Sequence, residues 1–213
     1  MKELKSIINI LVVLLIISSC SRNVNPEPVK IGSQTWAAKN LDVSTFRNGD
    51  AIPEAKTNEE WVKAAKTGSP AWCYYGNKQE NGNKYGKLYN WFAVADPRGL
   101  APSGWHVPSD TEWVQMVSFL GGENAAAIKL KSTEGWEDIG NGLNTSGFWA
   151  LPGGWRSSEG EFKGKENNGS WWSSTTCSDS NAWYISLEYM DNVVSRGSDA
   201  GKENAVSVRC IKD

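Results

Sequence analysis

The chain has 213 residues and a formal net charge of −2, with 22 Lys and Arg against 24 Asp and Glu. So mild a balance, with no basic stripe, argues against nucleic acid as a partner, and no segment after residue 20 has the apolar length of a membrane span. Twelve tryptophans and 21 glycines point to one loop-rich β or α+β domain, long enough to bury a core without needing a metal or a disulfide to fold.

At the N-terminus Lys2 and Lys5 precede an apolar run from Ile7 to Ile17, broken only by Asn9. The run is short of the ~20 residues a membrane helix requires and suits the apolar region of a signal peptide. Residues 1–19 are therefore read as a leader. Ile17-Ser18-Ser19-Cys20 resembles the bacterial lipobox, which implies cleavage before Cys20 and acylation of its thiol and new amine. Residues 20–28, with Pro26 and Pro28 and almost nothing apolar, read as the lipidated cysteine and an extended tether. The expected location is the outer membrane of a bacterial envelope, on either face, with the membrane as a partner through the lipid anchor.

Residues 29–213 form the expected domain. Val29–Trp36 has strand character with a Gly-Ser turn or bulge inside it, and Ala38–Phe46 continues as a second extended piece. Thr57 with Glu60 has capping-box spacing, followed by a helix with Trp61, Ala64 and Ala65 on one face and a stop at Gly68 and Pro70. Ala71–Tyr75 reads as a strand, Asn77–Gly86 as a polar turn, and Leu88–Ala95 fits helix and strand equally. Ser109 with Glu112 makes a second capping box. Trp113, Met116, Val117 and Leu120 then fall on one helical face, and Gly121-Gly122 ends the helix. A weaker helix covers Asn124–Lys131.

Ser132–Asn168 is expected to be a long irregular region with short strands at Phe148–Leu151 and Glu161–Lys165. Loops of this length in a compact domain are usually functional or disordered, and four large aromatics, Trp136, Phe148, Trp149 and Trp155, argue against disorder. Asn168–Leu187 supplies the central strand pair. Trp171 and Trp172 point to opposite faces, and Trp183, Ile185 and Leu187 alternate with Tyr184, Ser186 and Glu188 at the period of a half-buried strand. A hairpin turn near Asp191-Asn192 leads to a strand at Val193–Arg196. Ala205–Lys212 is the last strand, with Val206, Val208 and Cys210 facing one way.

VKIGSQTWAAKNLDV, AWCYY, YGKLYNWFAV, GLAPSGWHVPSDTEW, SGFWALPGGWR, GSWWSST, AWYISL and SVRCIKD occur in that order. Together they resemble the Fibrobacter succinogenes major paralogous domain of exported and lipid-anchored bacterial proteins, over nearly all of the mature chain. That family brings no established catalytic activity. The Pro108-to-Trp113 block and the tryptophan-rich C-terminal strands also look like the formylglycine-generating-enzyme group. This second resemblance implies a C-type-lectin-like fold: two main helices, small antiparallel sheets, a long loop region, and paired first and last strands.

The chemistry-bearing residues are few. Cys73 and Cys210 lie in blocks that match the family and are read either as a disulfide or as two buried thiols. Cys177 lies in a polar loop, as an exposed thiol or the rival partner of Cys210. The cysteines do not match the reactive pair that a formylglycine-type oxidase needs, and no residues have zinc spacing, so neither an enzyme nor a metal or other cofactor is expected. The Glu-Pro-Asn and Trp-Asn-Asp motifs of calcium-dependent lectins do not occur. His106, the one histidine, is read as a structural hydrogen-bonding residue. What remains is a recognition surface in the loop region, where Trp136, Trp155, Arg156, Glu161, Asn167 and Asn168 would offer aromatic platforms and amides to a glycan or an envelope protein. The competing reading is a structural or assembly role in the envelope, with those tryptophans filling the core.

Overall fold

The computed structural model describes residues 27–213. The leader, the lipobox with Cys20, and the tether as far as residue 26 lie outside the described residues.

The first hairpin, β1 (Val29–Ile31) and β2 (Gln34–Trp36), pairs antiparallel around Gly32-Ser33. Gly32 has φ 63°, as a two-residue hairpin loop requires. The next extended piece forms no strand. Its only bridge joins Thr45 to Ala51, and it is held by hydrogen bonds such as Leu41 N–H to the Val208 carbonyl at 2.7 Å. Helix α1 (Asn58–Thr67) starts at the Thr57–Glu60 capping box and stops at left-handed Gly68. Strand β3 (Trp72–Cys73) follows.

The polar stretch read as a turn is instead a 3-10 turn (Tyr75–Asn77) and a helix, α2 (Gln79–Tyr85). Gly82 lies in that helix because a Cβ there would come within 2.2 Å of the Tyr74 ring; the glycine marks a close contact, not a break. Leu88–Ala95 proves to be both alternatives in succession, β4 (Leu88–Asn90) and then α3 (Trp91–Val94). Asn90 is the switch. Its Oδ1 accepts from Ala93 N–H at 3.1 Å to cap the helix and from Ala71 N–H at 3.0 Å across to the neighbouring segment.

Strand β5 (Trp105–His106) leads into α4 (Asp110–Phe119), which has the expected Ser109–Glu112 box and buries Trp113, Met116 and Val117. Helix α5 (Glu123–Leu130) packs beside it. In the long loop region, Phe148–Leu151 contributes only a bridge from Ala150 to Lys131. The strand comes slightly later, as β6 (Gly153–Arg156) paired with β7 (Phe162–Lys165). Then come β8 (Asn168–Thr176), β9 (Asn181–Glu188) and β10 (Val194–Gly201) in an antiparallel meander. The final strand divides into β11 (Ala205–Ser207) and β12 (Ile211–Lys212).

These elements make an α+β fold of two small, mostly antiparallel sheets. One runs β1-β2-β12-β5. The other runs β10-β9-β8-β11-β4-β3, with the β6–β7 hairpin attached to β11. The last strand pairs with β2, through Ile211 opposite Trp36, so the two ends of the domain lie side by side. Among the described residues no helix is long and apolar enough to cross a membrane.

Trp171 and Trp172 enter different cores, as their alternation on β8 requires. Trp171 joins Trp36, Trp113 and Phe148, whose ring centroids lie 4.6–6.0 Å apart in tilted and edge-on arrangements. Trp172 enters the second core with Tyr89, Val206, Val208 and Cys210. The disulfide reading for Cys73 and Cys210 is corrected: both are free and buried and belong to different clusters, Cys73 beneath α1 and Cys210 beside Val208.

His106 fastens the chain's end to α4. Its Nε2 meets Glu112 Oε1 at 2.9 Å and its Nδ1 meets Asp213 Oδ1 at 2.7 Å. Partial burial pulls the imidazole pKa down, but the two carboxylates outweigh that and hold it above its ordinary 6.5. A raised folded pKa means that this stabilisation is complete below about pH 6.5 and fades as pH rises through the folded value. The melting-temperature gap between wild type and His106→Gln should therefore narrow from pH 6 to pH 9. A gap that is constant across that range would contradict the ion-pair role.

Candidate functional site

The meander puts opposite characters on its two faces. Gly169, Trp171, Ile185 and Leu187 turn toward the larger core. The alternate residues stand in three cross-strand rungs on the other face: Asn168 opposite Glu188, Ser170 opposite Ser186, and Trp172 opposite Tyr184. The first two rungs and Tyr184 line a groove of about 320 Å³, within the size range of small-ligand sites. Trp155 on β6 forms one wall. Asp199 and Ala200 on β10 form the other, while Asn204 and Val206 lie on the Trp155 side, where β11 pairs with β6.

Local backbone features place these walls. Between Gly197 and Ala200, β10 advances three residues while β9 advances two, from Tyr184 to Ala182. The extra residue is a β-bulge, a device that re-aims a side chain, and Asp199 sits in it. Gly197, opposite Tyr184, leaves space that the phenol ring occupies; a Cβ there would come within 2.4 Å of the ring. The Tyr184 hydroxyl then donates to Asp199 Oδ1 at 3.3 Å. On the other wall Trp155 is half-buried, with Lys163 Nζ 5.6 Å from its ring centroid.

The floor is wired by hydrogen bonds. Ser170 Oγ donates to Asn168 Oδ1 at 2.7 Å, and Asn168 Nδ2 donates to Glu188 Oε1. Burial pushes the Glu188 carboxyl above its usual range; the Asn168 bond opposes this and the nearby Asp191 charge adds to it. Burial, with the charge of Asp199, likewise raises the Tyr184 phenol.

Of the residues expected at a site, the structure brings Trp155 and Asn168 together in this groove. Trp136 is buried in the larger core, where its indole N–H donates to the Ala150 carbonyl at 3.0 Å and to Ser132 Oγ at 3.1 Å. Arg156 follows Trp155 on the same strand and so faces the other way. It is fully buried and donates to Ala55 O, Thr57 O, Asn58 Oδ1 and Gly160 O at 3.0–3.1 Å. Glu161 is exposed and paired with Lys163 at 3.0 Å. Asn167 turns the chain between β7 and β8, its carbonyl accepting from Tyr189 N–H at 2.8 Å.

Tyr184, Ser186, Glu188, Asp199 and Asn204 were missing from the expected set. A signal for three of them was present. The alternation that marks β9 as a strand also says that Tyr184, Ser186 and Glu188 share a face, and Asn168 and Ser170 show the same alternation on β8. Two polar faces on adjacent strands combine into one surface. The bulge that carries Asp199 has no comparable mark in the sequence.

The cysteines take no part. Burial pushes the thiols of Cys73 and Cys210 up to about 12, far from reactive thiolates, and Cys177 lies exposed at the far end of the meander. Among the described residues no three His, Cys, Asp or Glu side chains gather as metal ligands would.

A family model described as the Fibrobacter succinogenes major domain matches residues 29–212. No match was found among curated proteins.

Proposed function

The chain belongs to the Fibrobacter succinogenes major domain family, and from that premise we propose that it is a non-catalytic recognition module, lipid-anchored in the bacterial outer membrane, that binds a glycan in the groove beside Trp155. The observation that carries the reading is the combination of a half-exposed indole wall with a floor of paired amide, hydroxyl and carboxylate groups. Indole faces cover the apolar face of a sugar ring while short polar groups take its hydroxyls. A concave site of this size favours one or two rings over a flat protein contact. The lipobox resemblance supports cleavage before Cys20 and anchoring through its acyl chains.

The C-type-lectin-like assignment is part of the same proposal. Two main helices, small antiparallel sheets, and a last strand lying against the first hairpin support it. A purely structural role in the envelope is the alternative, and it gives the groove no ligand.

Screening on an immobilised glycan panel tests the reading. Wild type should retain a defined subset of glycans, and Trp155→Ala should weaken binding at least about tenfold, the equivalent of ~1.4 kcal/mol, with an unchanged melting temperature. No retained glycan, or equal binding by the variant, would overturn it.

A further inference from the structure

Resting on that reading, we propose that the glycan carries a protonated amine, as an amino sugar with an unacetylated nitrogen does, held between Glu188 and Asp199 and the rings of Trp155 and Tyr184. The groove's lining includes these two carboxylates and neither Lys, Arg nor His. The neighbouring cations have partners of their own, and Lys163 Nζ also stands 5.6 Å from the Trp155 ring centroid. Lys131 Nζ donates to the backbone carbonyls of Glu188 and Asp191 at 2.6 and 2.7 Å, and Lys163 pairs with Glu161. Neither lines the groove.

The hydrogen bonding is also arranged for a donor. Ser170 spends its donor, and Asn168 one of its two amide N–H groups, in the relay that holds Glu188 Oε1, and the Tyr184 hydroxyl spends its proton on Asp199 Oδ1. Among the described residues, the second oxygen of each carboxylate has no hydrogen-bond partner. Ser186 is a second, independent indication. It is only 7 % exposed and lines the groove, yet its hydroxyl has no hydrogen-bond partner among the described residues. That hydroxyl opens into the groove and is free to bond a ligand.

An ammonium supplies what this set lacks. It donates to carboxylates, and aromatic faces attract it through their quadrupoles. An N-acetyl group would instead bring a neutral amide and its methyl against Glu188. The raised Glu188 carboxyl agrees with the geometry, since an arriving cation would favour its ionised form. The paired short polar side chains of the floor favour a ring bearing several hydroxyls over the single aliphatic stem of a lysine.

Calorimetric titration of the protein with de-N-acetylated chitotetraose, its N-acetylated counterpart, cellotetraose and a short oligolysine separates the outcomes. The free-amine sugar is expected to bind at least tenfold more tightly than either neutral sugar, with an affinity that falls as salt rises. Glu188→Gln and Asp199→Asn should each remove most of that preference and leave weak neutral-sugar binding; Trp155→Ala should weaken all the sugars. Equal or tighter binding of a neutral sugar would overturn the amine inference and leave glycan recognition standing. Tighter binding of oligolysine would overturn the sugar as the amine's carrier. Failure of every saccharide would overturn the glycan reading itself.

Discussion

Arg209→Ala is expected to cost about 3–5 kcal/mol of stability, through lost packing and buried carbonyls left without a donor, and to lower the melting temperature by roughly 10 °C or more in a domain of this length. The side chain is 1 % exposed. Among the described residues it has no carboxylate partner. Nε and Nη2 donate to Asn40 Oδ1 at 3.0 and 2.8 Å, and Nη1 donates to the carbonyls of Ala37 and Phe148 at 3.1 and 2.6 Å. The guanidinium also stacks on the Phe148 ring, 4.3 Å from its centroid. Burial pulls its pKa down to about 9, which leaves it charged at neutral pH.

The charge is thus held by oxygen dipoles from two segments, the stretch after β2 and the long loop, and it ties both to a third, the final crossing that carries Arg209. Alanine would deprive the Ala37 and Phe148 carbonyls of that donor, while Asn40 Oδ1 would keep the Trp171 indole N–H at 2.9 Å. Lysine would rescue little, because one ammonium cannot reproduce the planar fork that reaches three acceptors. Thermal and urea unfolding of both variants measures this. A loss under about 1 kcal/mol for alanine would show that the three segments are held by something else.

Trp172→Ala should cost a similar ~3–5 kcal/mol through the cavity it leaves. The ring is fully buried, its indole N–H donates to the Tyr89 carbonyl at 2.8 Å, and its edge-on neighbour is Tyr184 at 6.5 Å. Trp172→Phe keeps most of the packing but leaves that carbonyl unpaired, at about 1–3 kcal/mol. Trp172 lies directly behind a groove wall, so the alanine variant should also weaken ligand binding by freeing Tyr184. Trp155→Ala should do the reverse, with a large loss of binding and little loss of stability. Denaturation of the two variants side by side decides the matter. Equal destabilisation would erase the distinction between the core indole and the groove indole.

Much of the architecture was legible because it rests on local chemistry. Thr57–Glu60 and Ser109–Glu112 announce α1 and α4 through side chains that bond their own backbone. The alternation from Trp183 to Glu188 announces β9. Where local signals conflicted, the reading failed. Gly82 looks like a helix breaker, yet it is in a helix because the Tyr74 ring needs the space. Leu88–Ala95 has no period of its own because it changes element at Asn90. The site was half legible. Trp155 and Asn168 stand out as residue types, but a groove between strands depends on register. Trp136 and Arg156 have the same surface-like chemistry, and only the tertiary packing turns them inward.

The path of the final residues constrains how this molecule is made. Strand β11 lies between β8 and β4, and β12 lies between β2 and β5, so both sheets receive their middle member last. Neither sheet can close across its middle until Ala205–Lys212 is in place. The first hairpin and the meander have pairings of their own, but β8 meets β4, and β2 meets β5, only through these last two strands. Removing these few residues would therefore split both sheets at once and leave their outer halves without a common frame.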